Sequence, residues 1–272
     1  LNSIIFKFIP YLLILISIFL IFREKHKIKT LVIFILAGFL GIATLNLQIN
    51  EPLLPLLTGL FGASTLIVSI KQKTKIPKQE IISIKEINKE ELTKPSLVSI
   101  ILSSLLGFLP ALGSSQIATV SSEIKKQNEK QFLFSIGIIN TFIMILSFIT
   151  IFTINKARTG SAATIKQLLN QISLNQIIFI LIISLITSIL AFLIGTKISK
   201  IFAKNIEKIN YNKLSIFILI FLFIIIFIFS NFIGSLVFIT STFLGIFANL
   251  SEIKRTNLMA CLLVPTIILY LF

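Results

Sequence analysis

The sequence predicts an all-α polytopic integral membrane protein with about seven or eight transmembrane or re-entrant helical segments. Three observations carry that reading. Hydrophobic residues make up 56% of the 272, and mean hydropathy is +1.02, far above the soluble globular range. Charge is confined to short stretches between uncharged runs, most long enough to cross a hydrocarbon core of about 30 Å as helix. The net charge of +15 sits between those runs rather than along one basic face.

The uncharged runs are 30–50, 52–70, 95–122, 131–155, 167–196, 214–251 and 256–272, and an eighth segment, 4–22, carries only Lys7. The run 214–251 is too long for one ordinary span. Asn231 and Gly234 predict a tight turn inside it, dividing it into spans at 215–230 and 234–250. The other spans of the second half are expected near 132–154, 177–195 and 258–272. The run 95–122 is expected to be a hairpin that enters and leaves by one face. With that topology 21 Lys and Arg fall on the cytoplasmic side and 4 outside, whereas a full crossing gives 14 against 11. The stretch 71–94, rich in Lys and Glu, reads as a polar cytoplasmic linker between a partial first repeat, 1–70, and a second repeat, 95–272.

Composition excludes several classes. A soluble enzyme, a disordered chain and an intrachain disulfide scaffold do not fit; Cys261 is the single cysteine. His26 and Cys261 are too few for a zinc site of the usual kind. A Ser-His-acid hydrolase would depend on His26, which sits among basic residues. The positive charge reads as topology and anionic-lipid contact in a multi-pass cell (plasma) membrane protein, not as nucleic-acid binding.

Candidate function concentrates where proline and glycine interrupt apolar runs, because freed backbone groups in a membrane must find partners or line a cavity. Pro110 disfavours helix at Leu109, and Gly113 permits a turn. A second half-helix then starts at Ser114 or Ser115, both good N-caps, and presents free N–H groups to an ion or anion. Ser115, Thr119 and Ser122 share one face of it. In the earlier run, Pro52 and Pro55 fit a first helical turn. Gly59, Gly62 and Ala63 make a smooth packing surface, and Ser64 and Thr65 add hydroxyls. Gly62, Ser64 and Thr65 join the candidate contacts. Asn140 and Thr141 stand near the middle of a span, where either an interhelical hydrogen bond or a substrate explains an amide. Arg158 is either an interfacial anchor or an anion contact. With no acidic or His residue deep in a span, a coupling ion would be Na⁺ held by neutral oxygens rather than H⁺.

Four motifs occur in order: Pro52-Leu-Leu-Pro-Leu-Leu-Thr-Gly-Leu-Phe-Gly-Ala-Ser-Thr65, Gly107-Phe-Leu-Pro-Ala-Leu-Gly-Ser-Ser-Gln116, Lys156-Ala-Arg-Thr-Gly-Ser161 and Lys254-Arg-Thr-Asn-Leu-Met-Ala-Cys-Leu-Leu-Val-Pro265. Together they resemble the large permease subunit of tripartite tricarboxylate transporters, especially the archaeal branch. The resemblance implies two inverted repeats, each with a Pro-Gly-x-Gly-like hairpin tip, and a substrate between the tips. It assigns Pro110, Gly113, Ser114, Ser115 and Gln116 to the second tip. Ala111 and Ala260 stand where glycine is usual. It also implies a secondary transporter for a small organic anion, with no enzymatic step, possible homo-oligomers, and in bacterial systems a small companion membrane subunit and a binding protein. The first-repeat hairpin is expected upstream of the segments present. The chain is therefore expected to be a partial gene product, a reduced permease completed by a partner, or a non-transporting membrane subunit or scaffold.

Overall fold

A computed structural model describes residues 2–74, 76, 77, 79, 89–106, 114–169 and 172–271. The described elements are helical: α1 (Asn2–Phe22), α2 (Lys27–Asn46), α3 (Leu53–Leu57), a π-helical turn (Thr58–Ala63), α4 (Ser64–Lys71), α5 (Lys89–Leu106), α6 (Ser114–Ile124), α7 (Glu129–Ile154), α8 (Gly160–Leu168), α9 (Leu174–Asn205), α10 (Tyr211–Leu250), a 3₁₀ turn (Arg255–Met259) and α11 (Ala260–Leu271). Five helical stretches are long and apolar enough to cross a membrane: Lys27–Asn46, Leu53–Lys71, Glu129–Ile154, Leu174–Lys208 and Tyr211–Leu250. The protein is thus an all-helical, polytopic membrane protein.

Helix starts follow local chemistry. Asn128 with Gln131 and Ser173 with Gln176 form capping boxes at α7 and α9, so side chains satisfy N–H groups that lack a helical partner. Thr159 and Asn210 cap α8 and α10. Asn155 ends α7 in the left-handed conformation. Two boundaries differ from the sequence expectation. α5 begins at Lys89, inside the stretch read as linker, and holds Pro95 in its second turn. α9 runs well beyond 177–195, because no proline lies between Leu174 and Asn205 and Gly195 alone does not end a helix.

By their packing the residues form two compact units, Leu1–Lys78 with Glu207–Phe272, and Gln79–Ile206. These units group residues by contact, so they do not follow the order of the proposed sequence repeats.

In the first unit, α10 is a hairpin. Asn231 has φ 58° and ψ −171°, outside helical space. The Phe223 and Phe238 ring centroids lie 6.3 Å apart, although 15 residues of straight helix would separate them by about 22 Å. The chain therefore folds back at Asn231, at the turn expected from Asn231 and Gly234. Ile226 and Phe238, one from each arm, share a core cluster with Ala63. A Cβ on Gly59 would collide with Ser241 and the Phe238 carbonyl, and one on Gly245 with Ser64 and the Leu60 carbonyl. These two glycines set the close approach of the second arm. Ser241 Oγ donates to the Pro55 carbonyl at 3.2 Å, just where the helix widens into its π-turn. The loop before α2 is tied to the 3₁₀ turn: buried Asn257 donates through Nδ2 to the buried Glu24 carboxylate at 3.1 Å.

In the second unit, α5 and α6 pack together, and α7 packs across both through Ile117, Ala118, Ile139 and Ile143, flanked by Leu102, Phe132 and Ile136. A second cluster joins α7, α8 and the start of α9 through Phe148, Ile151, Ala162 and Ile177. Beyond that start α9 is largely exposed, as suits a helix surrounded by lipid.

Candidate functional site

Ser99 on α5 and Ser121 on α6 are fully buried and face each other, with 3.2 Å between their Oγ atoms. Ser99 precedes the last residue of α5 by seven positions, and Ser121 follows the first residue of α6 by seven. Pairing at equal distances from the connection is the geometry of an antiparallel hairpin. The 11 residues of α6 span about 16 Å, too short to cross about 30 Å of hydrocarbon. Pro110 and Gly113 lie outside the described residues.

The polar side chains of this hairpin are mostly inward. Gln116 and Thr119 are buried, Ser114 and Ser122 half-buried, and Ser115 exposed. Ser115 Oγ donates to Gln116 Oε1 at 3.1 Å. Thr119 Oγ1 donates to the Ser115 carbonyl at 2.7 Å, and Ser122 Oγ to the Thr119 carbonyl at 2.8 Å. The expected stripe Ser115–Thr119–Ser122 is therefore bound into its own helix, and the candidate contacts left open lie at the start of α6. Buried Ser103 donates to the Ser99 carbonyl at 2.6 Å, and Gln127 Nε2 donates to Ser121 Oγ at 3.2 Å.

Asn140 and Thr141 sit halfway along α7, as expected, but both are exposed. Thr141 donates to the Gly137 carbonyl at 3.0 Å. Gly137 has open space where a Cβ would stand. The α7 residues that pack on the hairpin lie on another face, so the structure does not place Asn140 among the α5–α6 side chains.

Gly62, Ser64 and Thr65 belong to the first unit. The packing expected of Gly62 falls to Gly59 instead, since a Cβ on Gly62 would touch only Thr58, at 3.7 Å. A return from π to α geometry leaves one carbonyl without an amide donor. Here Ser64 Oγ donates to the Leu60 carbonyl and Thr65 Oγ1 to the Phe61 carbonyl, each at 2.6 Å. Thr65 Oγ1 also accepts from Arg255 Nη1 at 2.8 Å. Those contacts give Ser64 and Thr65 a structural task in holding the widened turn.

The Lys156–Ser161 motif closes the end of α7. Ser147 Oγ accepts from the backbone N–H groups of Arg158 and Thr159, both at 2.9 Å. Burial pushes the Arg158 guanidinium down to about 10, so it remains charged at neutral pH. Among the described residues no three His, Cys or acidic side chains converge to hold a metal. Ser99, Ser103, Ser121 and Ser147 were not singled out by sequence. The signal available was Ser99 and Ser103, four apart on one helix face inside an apolar run.

The family model of the tripartite tricarboxylate transporter TctA family matches residues 1–260. An uncharacterized protein of Methanocaldococcus jannaschii is 30% identical over 276 residues, covering 97% of this chain. The chain spans 66% of that relative's length. No solved structure matches the chain.

Proposed function

The chain belongs to the tripartite tricarboxylate transporter TctA family, whose members are membrane transporter components, and on that premise we propose that it is the permease of a secondary transporter for a small organic anion, a di- or tricarboxylate, in the plasma membrane. The observation that carries the proposal is the α5–α6 hairpin, whose arms are lined by buried hydroxyl and amide side chains. Each such group costs free energy in hydrocarbon unless paired, and here several are paired with one another rather than with the backbone.

The substrate carboxylate meets the start of α6. Ser114 and Ser115 there offer hydroxyls and the N–H groups that lack helical partners, at the positive end of the helix dipole. Pro110 and Gly113 belong to the connection before it, and Gln116 orients Ser115. Asn140 and Thr141, exposed on another face of α7, contribute only in the reading that follows. Coupling to a Na⁺ gradient supplies the driving force, and neutral oxygens suffice to hold such an ion transiently.

A second reading is favoured by one observation: Asn140 is exposed at the centre of an apolar helix. In that reading a companion membrane subunit or a second copy covers this face and completes the site.

Uptake of radiolabelled di- and tricarboxylates into proteoliposomes tests the proposal. Accumulation should occur with an inward Na⁺ gradient and fall about tenfold for Ser115→Ala, the loss of about 1.4 kcal/mol of binding from one hydrogen bond to a charged group. Absence of uptake by folded protein, alone and with a companion subunit, would reject the carboxylate permease.

A further inference from the structure

We infer that the open end of the α5–α6 hairpin, away from its connection, is a sodium site formed by Ser99, Ser121, Gln127 and Ser135. The inference rests on the permease reading and locates its coupling ion, at a place distinct from the start of α6.

Three features converge there. First, the Ser99 and Ser121 hydroxyls are fully buried and meet each other at 3.2 Å, and Gln127 Nε2 meets Ser121 Oγ at 3.2 Å. Second, two polar atoms remain over. Gln127 Oε1 and Ser135 Oγ are enclosed and have no hydrogen-bond partner among the described residues. Ser135 is fully buried and lies on the α7 face that carries Phe132 and Ile139 against the hairpin. Third, Ser121 stands in the last turn of α6, where helix carbonyls present the negative end of the dipole to a cation.

Turning the Gln127 amide over puts Oε1 where Nε2 now touches Ser121, and leaves Nε2 in the place where Oε1 has no partner. Ser99, Ser121 and Gln127 then offer two hydroxyl oxygens and one amide oxygen, with Ser135 Oγ as the inferred fourth ligand. An ion of calcium size, which sodium is, holds oxygens at about 2.4 Å, so adjacent ligands stand about 3.4 Å apart. The 3.2 Å separations fit that spacing. The charges nearby select the ion. None of the four ligands is a carboxylate, and in the stretch 121–130 Lys125, Lys126 and Lys130 outnumber Glu123 and Glu129, which leaves a net positive charge. That field repels a divalent cation and leaves a monovalent one weakly held, as an ion that must be released on each cycle requires.

Thermal unfolding of the purified chain, in NaCl and in KCl of equal ionic strength, tests the site without any substrate. NaCl at about thirty times Kd should raise Tm by at least about 3 °C over KCl. Ser99→Ala should abolish the difference. Gln127→Leu, at the partly exposed end of the cluster, should do the same if Ser99→Ala fails to fold. Ser104→Ala, whose hydroxyl donates only to the Ile100 carbonyl, should keep it. No sodium-specific shift in the parent, or an undiminished shift in Ser99→Ala and Gln127→Leu, would overturn the assignment. Sodium-driven uptake alongside an undiminished shift in both variants would place the ion elsewhere and leave the permease standing. A shift lost in both variants, with uptake indifferent to sodium, would keep the site and remove its coupling role.

Discussion

The two helical hairpins of this chain both bind hydroxyls to backbone carbonyls, but only the α5–α6 hairpin also pairs polar side chains with one another. In the α10 hairpin three buried hydroxyls reach backbone carbonyls: Ser230 donates to Glu51, Ser241 to Pro55 and Phe238, and Thr242 to Phe238, while Ser215 Oγ has no partner among the described residues. Those three donors are consumed by packing. In the α5–α6 hairpin several side chains meet one another, as in Ser99 with Ser121, Gln127 with Ser121, and Ser115 with Gln116. Such pairs can exchange a protein partner for a ligand without exposing a backbone carbonyl. The arms differ as well. About 20 residues on each side of Asn231 reach about 30 Å, long enough to cross the bilayer, whereas α6 covers about half of that. Polarity in a membrane helix therefore points to function only after its hydrogen bonds are traced.

The largest expected effect lies in the packing hairpin. Gly59→Leu should prevent recovery of folded protein, because the side chain meets Ser241 and a backbone carbonyl. Gly62→Ala should be neutral or stabilising by up to about 1 kcal/mol, since its surroundings are open and alanine favours helix. Size-exclusion profiles and Tm of the two variants would show this, and equal behaviour would break the distinction drawn between the glycines.

Next in size is the turn. Asn231 holds a positive φ that β-branched side chains avoid. Asn231→Val should cost about 2 kcal/mol and Asn231→Gly should cost nothing or stabilise, read as shifts in thermal midpoint.

In the unit of the α5–α6 hairpin, Asn140→Leu should leave Tm unchanged or higher, because the amide is exposed there. Carboxylate uptake should fall about tenfold, about 1.4 kcal/mol. A fall in stability instead of uptake would make Asn140 a packing residue.

The smallest effect concerns pH. Burial lowers the Arg158 pKa from the ordinary guanidinium range to about 10. For a base, a depressed folded value costs stability while the group is charged. The cost is fully present below about 10 and is relieved as pH rises above that value. Between pH 6 and 9 its charge is constant, so neither Tm nor uptake should show a step attributable to it. A step in that range lost in Arg158→Met would contradict this.

The helices were legible because uncharged runs of bilayer length admit one solution, and the turn at Asn231 because a run of 38 residues must fold back. Which residues face inward was not legible. Gly59 rather than Gly62 packs because the second arm of α10 docks on that side. Ser99 pairs with Ser121 across 22 residues of chain. Asn140 and Thr141 look alike in sequence whether a neighbour covers them or not. Orientation about a helix axis belongs to the partner, and a nearly uniform apolar run such as α9 carries little periodic signal to reveal it.

The central claim is that the α5–α6 hairpin re-enters while the α10 hairpin crosses twice. Single cysteines answer it directly. In a Cys261→Ser background, Thr93→Cys and Lys126→Cys would be labelled with a membrane-impermeant thiol reagent in oriented vesicles. The account predicts that both react from the cytoplasmic side. Reaction of the two from opposite sides would make the segment an ordinary crossing, reverse the topology of every later loop and remove the structural basis of the proposed site.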